Sequence, residues 1–309
     1  MTEHRAPDIV GLGYCSWDYL GILDHIPDFD APTESMFDFA ISGGGPVSTA
    51  LVTLARLGAR SGYIGVLGDD EPGRSALRAF QDEGIDTTRL RVEAGARSAV
   101  CFCLVQAGTA KRVILCYRGT TPEVELDDAD RRYLTGARFL HLDGHHLAAA
   151  IDAARWMRDA GGTVVLDANR PRPGLEHLLP WVDVLITNSH FPVAYCANSD
   201  LEQAMGELLG GNTSLVVTTV GAEGCLCRTR QNSWKVPGLA VEAVDTTGAG
   251  DAFHGAFLYG LSQGWSVERT ALFANATAAL NCRALGGRGA LPRRSEVEAL
   301  LQAQGRTAP

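Results

Sequence analysis

Between residues 139 and 219 short apolar runs alternate with stretches of helical spacing, and this alternation restricts the chain to few folds. The runs occupy residues 139–142, 163–167, 182–187 and 214–219. They are apolar almost throughout, as expected of strands buried on both faces of a parallel sheet. With helices between them, such as residues 147–157, they predict a doubly wound α/β fold, a mainly parallel sheet with helices on both faces. Ligands in these folds lie beyond the carboxyl ends of the strands. Polar clusters stand at those ends: Asp143-Gly144-His145-His146, Asp167-Ala168-Asn169-Arg170, Asn188-Ser189-His190 and Thr219-Val220-Gly221-Ala222-Glu223-Gly224. Loop histidines usually fill structural roles, so His145 and His146 do not define a site by themselves.

The first strand is expected at residues 8–13. Gly11-x-Gly13 opens like a dinucleotide-binding loop, but Ser16 stands at the third glycine and residues 19–26 alternate like a strand, not a helix. A nicotinamide enzyme is therefore disfavoured. Residues 19–26 and 35–41 read as short strands, too polar for the core. Residues 98–106 and 112–117 read as a hairpin around Gly108. Together they predict a small inserted β-sheet, a lid made from residues 19–42 and 96–118 of a single domain spanning residues 1–309. Arg97, Lys111, Arg112 and Arg118 give that lid a basic tinge suited to an acidic substituent on a substrate. Between the lid segments, the glycine-rich loop at Gly43, Gly44 and Gly45 opens a helix, with Pro46 in its first turn and Gly58 at its end.

A net charge of -9 argues against a nucleic-acid surface. No run is long enough to span a bilayer, and residues 1–5 show no signal-peptide pattern, so a cytoplasmic protein is expected. None of the eight cysteines forms a C-x-x-C pair. Cys101/Cys103 and Cys225/Cys227 alternate within apolar runs, which predicts buried, reduced thiols on single strand faces.

The densest chemistry lies in Asp245-Thr246-Thr247-Gly248-Ala249-Gly250-Asp251, followed by Ala252, Phe253, Ala256, Phe257 and Leu261 at helical spacing. The glycines should form the turn into a helix whose first amides are unpaired, a site suited to an anion. Asp251 then reads either as an N-cap or as a general base beside a phosphate. Two threonines, two glycines and two acids in seven residues exceed what a cap needs.

This heptapeptide resembles the C-terminal signature of the ribokinase-like (PfkB) family of ATP-dependent sugar kinases. Residues 43–73 resemble the family's N-terminal signature, and the likeness runs from Gly11 to Pro292. The resemblance implies that Asp251 is the catalytic base and that the amides of Gly248, Ala249 and Gly250 stabilise the transferred phosphoryl group. It implies sugar contacts from Asp18, Gly44, Gly45, Thr49, Asn169 and His145. It assigns Asn188, Thr219, Gly221, Gly224, Asn275 and Ala278 to ATP, with Mg2+ bridging the phosphates. Asp245 and Thr247 would belong to a monovalent cation site, possible for K+. Three departures stand out. Thr49 replaces the family's asparagine, Phe191 replaces the glutamate of an Asn-x-x-Glu motif, and Pro171 takes an arginine's place between Arg170 and Arg172. The forms around Thr49 and His254 are most similar to the sulfofructose and ketohexose kinase branch, although His145 stands where that branch would meet a sulfonate. The expected function is transfer of the ATP γ-phosphoryl to a primary hydroxyl of a small sugar or sugar-like alcohol. The alternatives are a nucleoside kinase, with Tyr14, Trp17 and Phe102 lining its pocket, and a non-catalytic sugar sensor. No Walker A pattern occurs. The open edges of the lid sheet suggest a homodimer.

Overall fold

The computed structural model describes residues 7–306 apart from 26, 29, 31, 32 and 110. In chain order the strands are β1 (Ile9–Leu12), β2 (Ser16–Leu23), β3 (Asp38–Gly44), β4 (Ser61–Gly68), β5 (Leu90–Glu93), β6 (Val100–Gln106) and β7 (Arg112–Tyr117). Then come β8 (Phe139–Leu142), β9 (Thr163–Ala168), β10 (Val184–Asn188), β11 (Leu215–Thr219), β12 (Cys225–Arg228) and β13 (Ser233–Val236). The helices are α1 (Pro46–Leu57), α2 (Glu71–Asp82), α3 (Asp128–Thr135), α4 (Leu147–Asp159), α5 (Leu175–Leu178), α6 (His190–Cys196), α7 (Leu201–Glu207), α8 (Ala249–Ser262), α9 (Val267–Asn281) and α10 (Arg294–Ala303).

Nine strands form the main sheet in the order β13-β12-β11-β10-β9-β8-β1-β4-β5. It is parallel from β11 to β5, and β12 and β13 extend it as an antiparallel hairpin. The chain leaves β1 toward β4 and later returns on its other side at β8. The boundary between β1 and β8 is therefore a topological switch point, where doubly wound sheets open a crevice.

Alternate residues of each strand feed opposite cores. Ile9, Val165, Ile186 and Val217 pack with α1, α8 and α9. Val10, Val164, Leu166, Leu185 and Val216 pack with α4 and with Phe191 of α6. The apolar runs thus serve two layers at once, which is why they lack polar alternation.

The small sheet has the order β3-β2-β6-β7. Strands β2 and β6 run parallel, and the other two pairs are antiparallel. Its strands differ from the sequence reading in two places. Asp18 lies within β2, which begins at Ser16 and not at residue 19, and β3 runs through Gly43 and Gly44, which read as loop. The glycines are in the strand because the space beside them is taken: a Cβ on Gly44 would overlap the Asp18 carboxylate, and one on Gly43 the Arg288 guanidinium. The expected first strand reached Ile26, which lies outside the described residues, as do three residues of the 27–32 connection. Both cysteine pairs are buried as expected.

Helix α8 is apolar all round because α1, α9 and the sheet enclose it. Gly255 permits this approach: a Cβ there would stand 2.5 Å from the Ala50 carbonyl oxygen and 2.7 Å from the Thr53 Cβ. A bulky residue would push α8 off α1, and overpacking of this kind costs about 1–3 kcal/mol. Gly255→Val should lower the unfolding free energy by that amount, seen as a lower urea midpoint with an unchanged m-value, and equilibrium denaturation checks it.

Candidate active site

Two tight features fix the turn into α8. The Asp245 carboxylate is buried and accepts from the Thr247 amide (2.8 Å), the Thr247 hydroxyl (2.8 Å) and the Gly286 amide (2.9 Å). Gly248 has φ 70 and packs against Gly287, whose Cα would lie 2.5 Å from a Cβ at this position. That conformation and that clearance require glycine. The three expected anion-hole amides are not equivalent. Ala249 donates to the Thr246 carbonyl at 3.3 Å, whereas the amides of Gly248 and Gly250 have no partner among the described residues. Gly250 is exposed and faces open space.

Asp251 sits in the first turn of α8, partly buried. Side-chain atoms of Asp167, Asp251 and His254 lie within 4.8 Å of one another. Burial, then the Asp167 charge, pushes the Asp251 carboxyl up to about 7, against a smaller downward pull from His254. Asp18 and Asp143 add to the upward push. The carboxyl therefore titrates where a general base is most effective.

On one side of Asp251 stand the groups expected to meet the sugar. Asp18 is buried and accepts from the Ser16 hydroxyl at 2.6 Å. Burial raises its pKa, while Ser16 and Arg288 oppose the rise. Arg288 is buried, with Nη2 donating to Ser48 Oγ (2.7 Å) and Gly44 O (3.4 Å) and Nε to Thr49 Oγ1 (3.3 Å). Thr49 is only 1% exposed. Its hydroxyl oxygen accepts from Arg288, which leaves the hydroxyl hydrogen to donate. At the switch point Asp143 accepts from the Tyr14 amide (2.7 Å) and from the His145 amide and Nδ1 (3.0 Å each). Burial raises this carboxyl, but the His145 ring and the two amides outweigh it and hold it at about 2. The Tyr14 ring stacks on His145 at 4.8 Å. Both line a cavity of about 160 Å3 with Cys15, Arg118, Glu123 and His146.

On the other side lies a cavity of about 500 Å3. Thr219, Gly221, Gly224, Asn275 and Ala278 line it, as do Ala249 and Gly250 of the turn. The structure thus gathers most of the residues expected to hold ATP. Asn188 is not among the lining residues. Its side-chain NH2 donates to the Asn169 carbonyl (2.9 Å), and its oxygen accepts from the His190 and Phe191 amides. Asn169 shares that bond, on the exposed side of β9. Phe191, at the family's glutamate position, is fully buried and stacks on Tyr195.

Sequence reasoning did not name residues 238–241, which line the larger cavity without a periodic pattern. It also gave no role to Arg288, or to His254, although the latter stood in a form it quoted. Arg288 could have been suspected, since a guanidinium buried beside two glycines needs oxygen partners.

Residues 7–294 match the profile described as pfkB family carbohydrate kinase. The ATP-dependent ribose-1-phosphate kinase of Halopiger xanaduensis is 30% identical over 295 residues, which cover 95% of this chain and 97% of that protein. The aminoimidazole riboside kinase of Salmonella typhimurium is 32% identical, covering 88% and 92%. The Arabidopsis thaliana ribokinase complexed with ribose and ATP superposes with a TM-score of 0.83 at 23% identity, over 96% of this chain and 99% of that one. The fold is ribokinase-like.

The raised Asp251 pKa has a consequence for stability. The fold favours the protonated form, so the native state loses stability as pH climbs from the ordinary carboxyl value of 3.8 to about 7, and the loss is complete above that. Asp251→Asn should therefore melt above the native protein at pH 8, with the gap closing toward pH 4. Paired thermal melts across that range measure it.

Proposed function

Because the chain belongs to the pfkB family of carbohydrate kinases, and so is an ATP-dependent kinase, we propose that it phosphorylates a primary hydroxyl of a small sugar or sugar-like alcohol, a ketose or sugar derivative being favoured. The observation that carries this reading is the position of Asp251, flanked by the 500 Å3 cavity on one side and by Asp18 and Asp143 on the other. ATP occupies the larger cavity, with its ring between residues 238–241 and the small-residue face of α9 at Asn275 and Ala278. Asn275 also fixes that wall by donating to the Val236 carbonyl at 3.0 Å. The acceptor lies against Asp18, Gly44, Gly45 and His145.

Asp251 takes the hydroxyl proton as the oxygen attacks. The amides of Gly248 and Gly250 then meet the charge on the transferred group. Arg288 holds Gly44 and helix α1 in register beneath the acceptor. Mg2+ would neutralise the ATP phosphates. No carboxylate lines the larger cavity, which suits an ion held mainly by phosphate oxygens and water. The buried Asp245 carboxylate has no ion-pair partner among the described residues, and with Thr247 it fits a K+ site beside the turn.

A riboside acceptor is the second reading, favoured by the Tyr14–His145 stack at the smaller cavity. A screen for ADP release over hexoses, ketoses, sugar acids and nucleosides separates the two. Asp251→Asn should lower kcat on the best acceptor by about 100-fold or more. Full activity in that variant would remove the base assignment.

The small sheet serves as a lid and as the contact with a second copy of the chain. Register places Ile41, Tyr19, Phe102 and Leu115 in one row across its four strands, on one face. Phe39, Ile41, Phe102 and Leu115 are each about half exposed, at 52%, 49%, 50% and 57%. A contiguous apolar face of this kind is unusual on a monomer. Light scattering should report a dimer at micromolar concentration, and Phe102→Glu with Leu115→Glu should convert it to monomer. A native monomer would refute the contact.

A further inference from the structure

We propose that His254 is a positioning residue for the reaction: paired with Asp167 beneath the first turn of α8, it carries the charge that keeps Asp251 usable as a base. The proposal rests on the reading of Asp251 given above and deepens it.

Residues three apart on a helix share a face, so His254 lies under Asp251. Its side chain is 3% exposed and that of Asp167 is 0% exposed, with Nδ1 2.7 Å from a carboxylate oxygen. Among the described residues neither oxygen of Asp167 has another partner. A buried carboxylate without a partner is several kcal/mol out of favour, and among the described residues His254 is the only cationic side chain in contact with Asp167. Burial pulls the imidazole down, but the Asp167 charge and contact prevail and hold it above its ordinary value. The neighbouring ring, His141 on β8, does not share the charge. Burial and the adjacent His254 hold it neutral, at about 4.

The groups facing Asp251 come from every element around it. Asp18 of β2, Asp143 after β8 and Asp167 of β9 are carboxylates. Against them stand His254 and Arg288, the latter from the loop after α9, with His145 already engaged by Asp143. Without the imidazolium, three carboxylates would face Asp251 with Arg288 alone in opposition. The base would then stay protonated at neutral pH and could not accept the hydroxyl proton.

The test is the pH dependence of kcat for the native enzyme and for His254→Gln, Asp167→Asn, their double variant and Asp251→Asn, using the acceptor found in the ADP screen. His254→Gln should move the acid limb up by about one pH unit, lowering kcat about fivefold at the native midpoint and recovering it at pH 9. Asp167→Asn should move the limb down, and the double variant should follow Asp167→Asn. Equal losses at every pH, with the limb unmoved, would overturn the proposal in favour of a purely structural role. Should His254→Gln fail to fold, Asp167→Asn still decides the direction, together with 15N shifts of the native ring. Two protonated nitrogens at pH 7 support the pair, and a neutral ring overturns it. Full activity in Asp251→Asn would instead sink the base reading, and the ring shifts would still report on the pair.

Discussion

Mutual repulsion among Asp18, Asp143, Asp167 and Asp251 is the constraint on which the centre of this molecule depends. All four face one region at the carboxyl ends of the strands, and low dielectric magnifies their interaction. Each is offset in a different way. Asp143 has an imidazole and two amides. Asp167 has His254. Asp18 has a hydroxyl at 2.6 Å and a guanidinium farther off. Asp251, like Asp18, is raised, by burial and then by the Asp167 charge. Acidity is thus unevenly distributed, with Asp143 at the switch point held at about 2 and Asp251 at the helix start pushed up to about 7. Two neighbouring carboxyls pushed to opposite ends of the pH scale are a recurrent mark of acid–base work.

That distribution is held by backbone contacts that only glycine allows. Gly44 clears Asp18, Gly248 seats against Gly287, and Gly255 lets α8 approach α1. The same glycines leave amides bare at the turn and carry conformational entropy that folding must overcome. The site is therefore less stable than an apolar equivalent would be, a common exchange where function needs charge in a dry place.

Much of this could be read before the fold was known. The parallel sheet followed from apolar runs that must feed two layers, and the turn at Gly248 from residues with no other efficient use. The larger cavity was legible in Thr219, Gly221 and Gly224, because a strand end followed by glycines opens beyond the sheet. What escaped was set by tertiary contact. Gly43 and Gly44 lie in a strand because Arg288, more than two hundred residues away, and Asp18 of the neighbouring strand fill the space beside them. Thr49 accepts a bond from the same guanidinium, which no local pattern announces. His254 showed only helical spacing from Asp251, and its partner Asp167 comes from another strand, so no local pattern could join them.

The small sheet is not independent of the turn. Arg112 of β7 donates to the Thr246 hydroxyl at 2.5 Å, across 134 residues of sequence. Thr246 precedes Gly248 and lines the larger cavity, and its carbonyl also accepts from Ala249. A shift of β7 would therefore act on the residue whose carbonyl occupies one of the three turn amides. Arg112 has no carboxylate partner among the described residues, so an anion arriving in the cavity would compete with a neutral hydroxyl for its charge. A charge-assisted bond is about twice as strong as a neutral one. The bond from Arg112 thus joins β7 to the turn into α8, and an anion that drew the guanidinium away from Thr246 would break that link.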